Sequence, residues 1–290
     1  MAVVIPFSPA DATINRLVGL SAPDMLRVNS EILARTGSEV TMIPEVANHL
    51  ISSGGKRLRP MLTLAMANLT GYSGDGHIKL AAAVEFMHTA TLLHDDVVDE
   101  SEMRRGKLAA RMLWGNEASV LVGDFLYSRA FQMMVDIGHM GVLETLANAT
   151  NVIAEGEVMQ LMNCHDPETS EQRYLDTIRF KTAKLFEAAA RLGALLAGSD
   201  SQLEEALAAY GRHLGTAFQL VDDALDYSAS SAEIDKNVGD DLAEGKPTLP
   251  LLYALWRSPP EQAAVIREAI VNGGLQRIDE VLRAIESTRS

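Results

Sequence analysis

The sequence predicts an all-α fold, a single-domain bundle of long helices. Three observations carry this. Apolar residues recur at helical spacing almost from end to end; Ala, Leu, Met and Glu are abundant while aromatic residues make up only 5% of the 290; and no stretch alternates apolar and polar residues with β period. Helices are expected at roughly 10–20, 24–36, 39–52, 58–70, 76–100, 115–138, 141–164, 171–197, 201–229, 248–257, 260–271 and 275–287. Breaks follow in order at Gly54-Gly55, Gly71-Tyr72-Ser73-Gly74, Asp166-Pro167, Gly198-Ser199, Ser258-Pro259-Pro260 and Gly273-Gly274. Several of these helices are longer than the globular average and apolar on more than one face, as helices of a bundle interior are.

No Pro/Gly/Ser-rich linker or low-complexity tract divides the chain, so one domain spanning 1–290 is expected. The formal charge of −14 argues against nucleic-acid binding, which needs a basic footprint. A single cysteine, Cys164, excludes an intramolecular disulfide framework and fits a reducing compartment. The sequence contains no apolar run long enough for a membrane span, and Met1–Phe7 lacks the basic start of a secretory signal. A cytoplasmic protein without a stable membrane anchor is expected.

Two copies of one acidic signature stand out: Asp95-Asp96-Val97-Val98-Asp99 and Asp222-Asp223-Ala224-Leu225-Asp226. Each closes a long apolar helix and places its first and last carboxylates one turn apart on one face. Carboxylates crowded beside apolar residues repel one another and resist desolvation, a cost that divalent cations remove. One such turn taken singly is usually a solvated helix end. Two near-identical copies in apolar surroundings point instead to a polynuclear Mg²⁺ site, with all six aspartates as candidate metal residues.

Upstream of the first signature, His88, Thr91, Asp95 and Asp99 form one polar line down a hydrophobic helix. Gly54-Gly55-Lys56-Arg57-Leu58-Arg59-Pro60 reads as a compact anion-binding corner, and Arg104-Arg105-Gly106 follows closely enough to fold back over a metal-bound phosphate. Lys181-Thr182 lies in a helix of apolar character, and Lys236 and Lys246 flank Gly239-Asp240-Asp241. The charges balance for a diphosphate: six carboxylates against about three Mg²⁺, with lysines and arginines left to meet the phosphate oxygens.

Other patterns carry no chemistry. Residues 239–247 have the wrong glycine spacing for a phosphate loop and Pro247 where Ser or Thr is required. Glu85-x-x-His88 has no second copy to complete a di-iron site. Neither His94 nor Cys164 is assigned a role.

Taken together and in order, these motifs resemble the trans-prenyl diphosphate synthases. The likeness rests on Gly54–Pro60, the first aspartate signature with Arg104-Arg105-Gly106, Lys181-Thr182, Phe218-Gln219 with the second signature, Lys236–Leu242, and Gly245-Lys246-Pro247-Thr248. The segments Leu121–Phe131 and Ala154–Val158 resemble the bacterial octaprenyl branch, whose products become ubiquinone side chains.

That resemblance implies an isoprenoid synthase fold, with the long helices set around a central cavity, and condensation of isopentenyl diphosphate with an allylic prenyl diphosphate. It implies direct Mg²⁺ ligation by Asp95, Asp99 and Asp222, with Asp96, Asp223 and Asp226 as ligands or water-mediated supports. Arg104, Lys181, Lys236 and Lys246 would hold the allylic diphosphate. Lys56, Arg59, His88 and Arg105 would hold isopentenyl diphosphate. Catalytic roles fall to Lys181, Thr182 and Gln219 at the reacting centre. Ala90 and Thr91 are small, with Phe131 and Met134 as a candidate floor, so a long product of about C40 is expected. A homodimer is also implied. Asp235 stands where the family commonly has Gly, and the resemblance implies further terminal helix beyond Ser290. A shorter-chain synthase, a class I terpene cyclase and a non-catalytic subunit of a heteromeric synthase remain the alternatives.

Overall fold

A computed structural model describes residues 10–228 and 238–290. Fourteen helices are present among them: α1 (Ala10–Arg35), α2 (Met42–Ser52), α3 (Leu58–Leu69), α4 (Gly76–Val98), α5 (Ala110–Trp114), α6 (Asn116–Ile137), α7 (Met140–Asn163), α8 (Glu171–Ile178), α9 (Lys184–Ala197), α10 (Ser201–Asp226), α11 (Asp240–Ala243), α12 (Leu249–Arg257), α13 (Pro260–Asn272) and α14 (Ile278–Thr288). The expected all-α architecture is what the chain adopts.

Helix α4 is the axis of the main core. It buries Leu80, Ala81, Val84, Phe86, Met87, Ala90 and Leu93, apolar on nearly every side. Around it pack the buried faces of α1, α2, α3, α6, α7 and α9. A second core lies among α11 to α14, built on Leu242, Leu251, Ile266, Ile270 and Val281. A small third core joins α8 to α12 through Tyr174, Ile178 and Leu252.

Three departures from the periodicity matter. First, α1 runs unbroken through Pro23, where two helices are expected. Pro23 forfeits one bond to the Gly19 carbonyl, but both residues are exposed and water can satisfy that carbonyl. Second, a two-residue hairpin pairs Met103–Arg104 (β1) with Lys107–Leu108 (β2). It is too short for alternation to reveal, and its turn residues Arg105 and Gly106 both have positive φ, as a type I′ turn requires. Third, the expected helix 171–197 is three pieces: α8, a π-helical segment Arg179–Ala183, and α9. Such π turns are uncommon and concentrate at functional sites.

Glycines let the elements around that π segment approach closely. A Cβ on Gly156 of α7 would sit 2.8 Å from the Phe180 carbonyl carbon. One on Gly215 of α10 would sit 2.6 Å from the Ala183 Cα. The segment is therefore clamped between α7 and α10.

Candidate active site

The C-terminal ends of α4 and α10 open onto one cavity of about 610 Å³. From α4 its wall takes His88, Thr91, Leu92, Asp95 and Asp99; from α10 it takes Phe218, Gln219, Asp222, Asp223 and Asp226. Both sets follow helical spacing, so each helix presents one polar face. The two aspartate signatures thus share a single cleft, as the sequence suggests. Lys181 and Thr182, from the π segment, complete the wall between them.

Two lysines pair with the first signature. Lys181 Nζ lies 2.6 Å from Glu157 and 3.9 Å from Asp95. Lys246, from the loop before α12, places Nζ 2.8 Å from Asp99 and also pairs with Glu244. Burial would discharge these lysines, but the surrounding carboxylates outweigh it and hold both above the usual lysine range. Burial pushes the Asp95 carboxyl up, against the pull of Lys181. Glu157 is pushed up to about 7 by burial and by the charge of Asp95.

Asp96 behaves differently from its neighbours. It is fully buried, off the cavity wall, and accepts from Arg104 Nε at 2.8 Å. Its register explains this: position 96 is rotated about 100° from Asp95 around the helix. The structure therefore makes Asp96 the anchor of Arg104 rather than a member of the acidic wall. Asp223 is also occupied, accepting from Gln219 Nε2 at 2.6 Å and from the Tyr174 hydroxyl at 2.5 Å. Asp226 Oδ2 accepts from the Asp241 backbone N–H at 3.2 Å.

A basic corner lies at the other side of the cavity. Arg59 donates to His88 Nε2 at 3.2 Å, and its guanidinium stacks over Phe186 at 4.3 Å. Burial and the nearby arginines 59, 105, 104 and 57 hold His88 well below its ordinary value, so the ring is neutral and accepts. The Arg59 Nε is buried without a hydrogen-bond partner, a donor that suits an anion. Arg105 reaches back to the Gly54 carbonyl, and its guanidinium lies against Gly55, where a Cβ would meet it.

Some expected residues are not brought here. Lys56 is exposed and off the wall. Gly54, Gly55 and Arg57 all have positive φ, and the turn they make sends Arg57 inward to Glu85 while Lys56 points out. Of the residues expected to set depth, Thr91 lines the cavity. Ala90 lies on the far side of α4 in the main core, Met134 is 1% exposed in that core, and Phe131 packs against it. The expected floor is therefore corrected: the wall at this level is Thr91, Leu92 and Phe218. Lys236, and Asp235 before it, lie outside the described residues.

Sequence reading missed Glu157, Tyr174 and Glu244, all on the wall. Tyr174, Thr177, Ile178 and Lys181 do form a helical stripe that could have indicated the first of α8's contributions. The loop rejected as a phosphate loop nonetheless supplies Asp240, Asp241 and Glu244.

The donor set suits a hard divalent cation: carboxylate oxygens, one of them on Asp95 costly to keep charged without a counter-ion. Asp95, Asp99, Asp222 and Asp226 are the residues that would hold it. As the side chains stand, no three His, Cys, Asp or Glu groups among the described residues already converge on one ion position.

The chain is similar to known proteins along almost its whole length. The polyprenyl synthetase family model matches residues 40–287. Octaprenyl diphosphate synthase of Escherichia coli is 54% identical over 272 residues, covering 93% of this chain and 84% of that one. All-trans-nonaprenyl-diphosphate synthase (geranyl-diphosphate specific) of Rhodobacter capsulatus is 43% identical, covering 92% and 82%. Among solved structures, a polyprenyl synthase from Caulobacter crescentus, complexed with calcium and isoprenyl diphosphate, superposes with a TM-score of 0.92 at 52% identity, covering 95% of this chain and 84% of that one.

Proposed function

The chain belongs to the polyprenyl synthetase family, and on that premise we propose that it condenses isopentenyl diphosphate with an allylic prenyl diphosphate to build a long all-trans chain. One observation carries this reading: two aspartate faces, from α4 and α10, meet across a cleft whose remaining wall holds both cations and apolar side chains. The octaprenyl and nonaprenyl relatives favour a product of about C40 over the short-chain alternative.

Lys181, Lys246 and Arg104 hold the allylic diphosphate and take up the negative charge that grows on it as the C–O bond breaks. Arg59, Arg105 and neutral His88 hold the isopentenyl diphosphate, with the unpartnered Arg59 Nε as one donor. Bound Mg²⁺, about three ions at the aspartates, supplies further charge neutralisation for the leaving group. The isopentenyl double bond attacks the allylic cation, a C–C bond forms, and a proton leaves to the released diphosphate oxygen. Thr182, the Lys181 carbonyl and Gln219 present negative dipole ends to the cation, while Leu92 and Phe218 exclude water.

We place this chemistry in the cytoplasm, which the lone cysteine fits. A second copy of the chain covers the α7 stripe Val158, Leu161 and Met162, each more than half exposed. Leu161→Glu is expected to shift sedimentation to the monomer; an unchanged mass removes that interface.

The test of function is incubation with farnesyl diphosphate, labelled isopentenyl diphosphate and Mg²⁺, followed by sizing of the lipid product. Incorporation into a long chain, abolished by chelator, is expected. No incorporation rejects the reading, and a product stopping at the C20 stage rejects its long-chain part.

A further inference from the structure

Asp223 is held in a chain of four side chains. The Tyr174 hydroxyl donates to Asp223 Oδ2 and Gln219 Nε2 donates to Asp223 Oδ1, while the Thr182 hydroxyl donates to Gln219 Oε1 at 2.8 Å. The chemistry of the groups fixes every orientation. A carboxylate only accepts, so the Gln219 amide must turn its NH₂ toward Asp223. Its carbonyl oxygen then faces Thr182, which must donate. The threonine proton is spent on Gln219, and Thr182, which lines the cavity, is left with oxygen lone pairs only, a negative dipole end.

The outer end of this chain is rigid. The Tyr174 ring is 5% exposed and packs with Ile178 and Leu252 in the small core joining α8 to α12. One turn on, Asn163 donates to Thr177 at 3.0 Å and receives Arg173 at 2.6 Å, tying α8 to the end of α7. Asp223 itself is 3% exposed. Hydrogen bonds in such a line polarise one another, so the charge of Asp223 is felt at the Thr182 oxygen.

We propose that Tyr174 and Asp223 are positioning residues: together they lock Gln219 and Thr182 with their oxygen ends toward the reacting carbon, and Asp223 lends its charge to that purpose instead of ligating metal. The proposal rests on the prenyl-transfer reading above. It divides the second signature by function, with Asp222 and Asp226 serving the metal and Asp223 serving the cation.

The experiment compares Tyr174→Phe, Asp223→Asn and Gln219→Ala with the unaltered enzyme. In Tyr174→Phe and Asp223→Asn, kcat is expected to fall about 10- to 100-fold. KM for both diphosphates and the Mg²⁺ concentration for half-maximal rate stay within about twofold of normal, because the substrate and metal groups are untouched. Tyr174→Phe placed on Gln219→Ala adds little further loss, since it acts through that amide. A raised Mg²⁺ requirement with kcat restored at saturating metal assigns Asp223 to the metal and overturns the proposal. Fully additive losses, or a fall in kcat matched by the loss of folded protein in circular dichroism, make Tyr174 merely structural and do the same. If Tyr174→Phe does not fold, Asp223→Asn carries the same readouts. An unaltered enzyme that incorporates no isopentenyl diphosphate is a separate outcome, which removes the function itself.

Discussion

His88 shows how one position joins stability to binding. It is neutral because burial and four arginines oppose its proton, and it spends that neutrality accepting from Arg59. The sign of the linkage follows. Near pH 6.5 the unfolded chain takes up a proton that the folded chain refuses, so stability is fully present above that pH and declines as pH falls below it. His88→Gln keeps an acceptor for Arg59 without a titrating ring. Denaturant unfolding at pH 7.5 and 5.5 is expected to show a smaller acid loss in the variant than in the parent; equal losses would place the acid sensitivity elsewhere. His88 was readable from sequence as part of a polar line on an apolar helix. The exclusion of Asp96 from the wall follows from its register, about 100° from Asp95, and packing adds its pairing with Arg104.

At the scale of elements, the π segment is what brings Lys181 and Thr182 to the cavity, and glycines make room for it. The backbones of α7 and Arg179–Ala183 come too close at Gly156 to admit a side chain. Gly156→Val forces them apart, at a cost of about 1–3 kcal/mol or more, since neither backbone can yield as a flexible side chain would. Thermal unfolding is expected to show that loss, and activity to fall even where the protein remains folded, because Lys181 moves with the segment. A variant as stable and active as the parent would show that the segment tolerates displacement. The sequence announced long helices here and nothing of the π turn. A single extra residue per turn leaves the apolar periodicity of 171–197 almost intact, whereas its consequence, the direction in which Lys181 points, is entirely three-dimensional.

For the whole molecule, volume sets the question of product length. Eight five-carbon units packed at interior density occupy on the order of 10³ Å³, and a chain of that size starts from the cavity that Thr91, Leu92 and Phe218 line. Thr91→Phe narrows the wall and is expected to shorten the lipid product while leaving the first condensation intact. Chain length unchanged in that variant would remove depth as the determinant.

What the sequence determined by itself was the class of fold and the kind of chemistry. Helical periodicity depends on neighbours along the chain, and two matching aspartate turns announce an oxygen-rich cation site wherever they fold. Tertiary structure decided which of those residues act. Only packing could bury Asp96 under Arg104, turn Lys56 outward, and bring Glu157 and Tyr174 from other helices to the wall. Each of these depends on which face of one helix meets another, and that is settled by contacts between residues far apart in the chain.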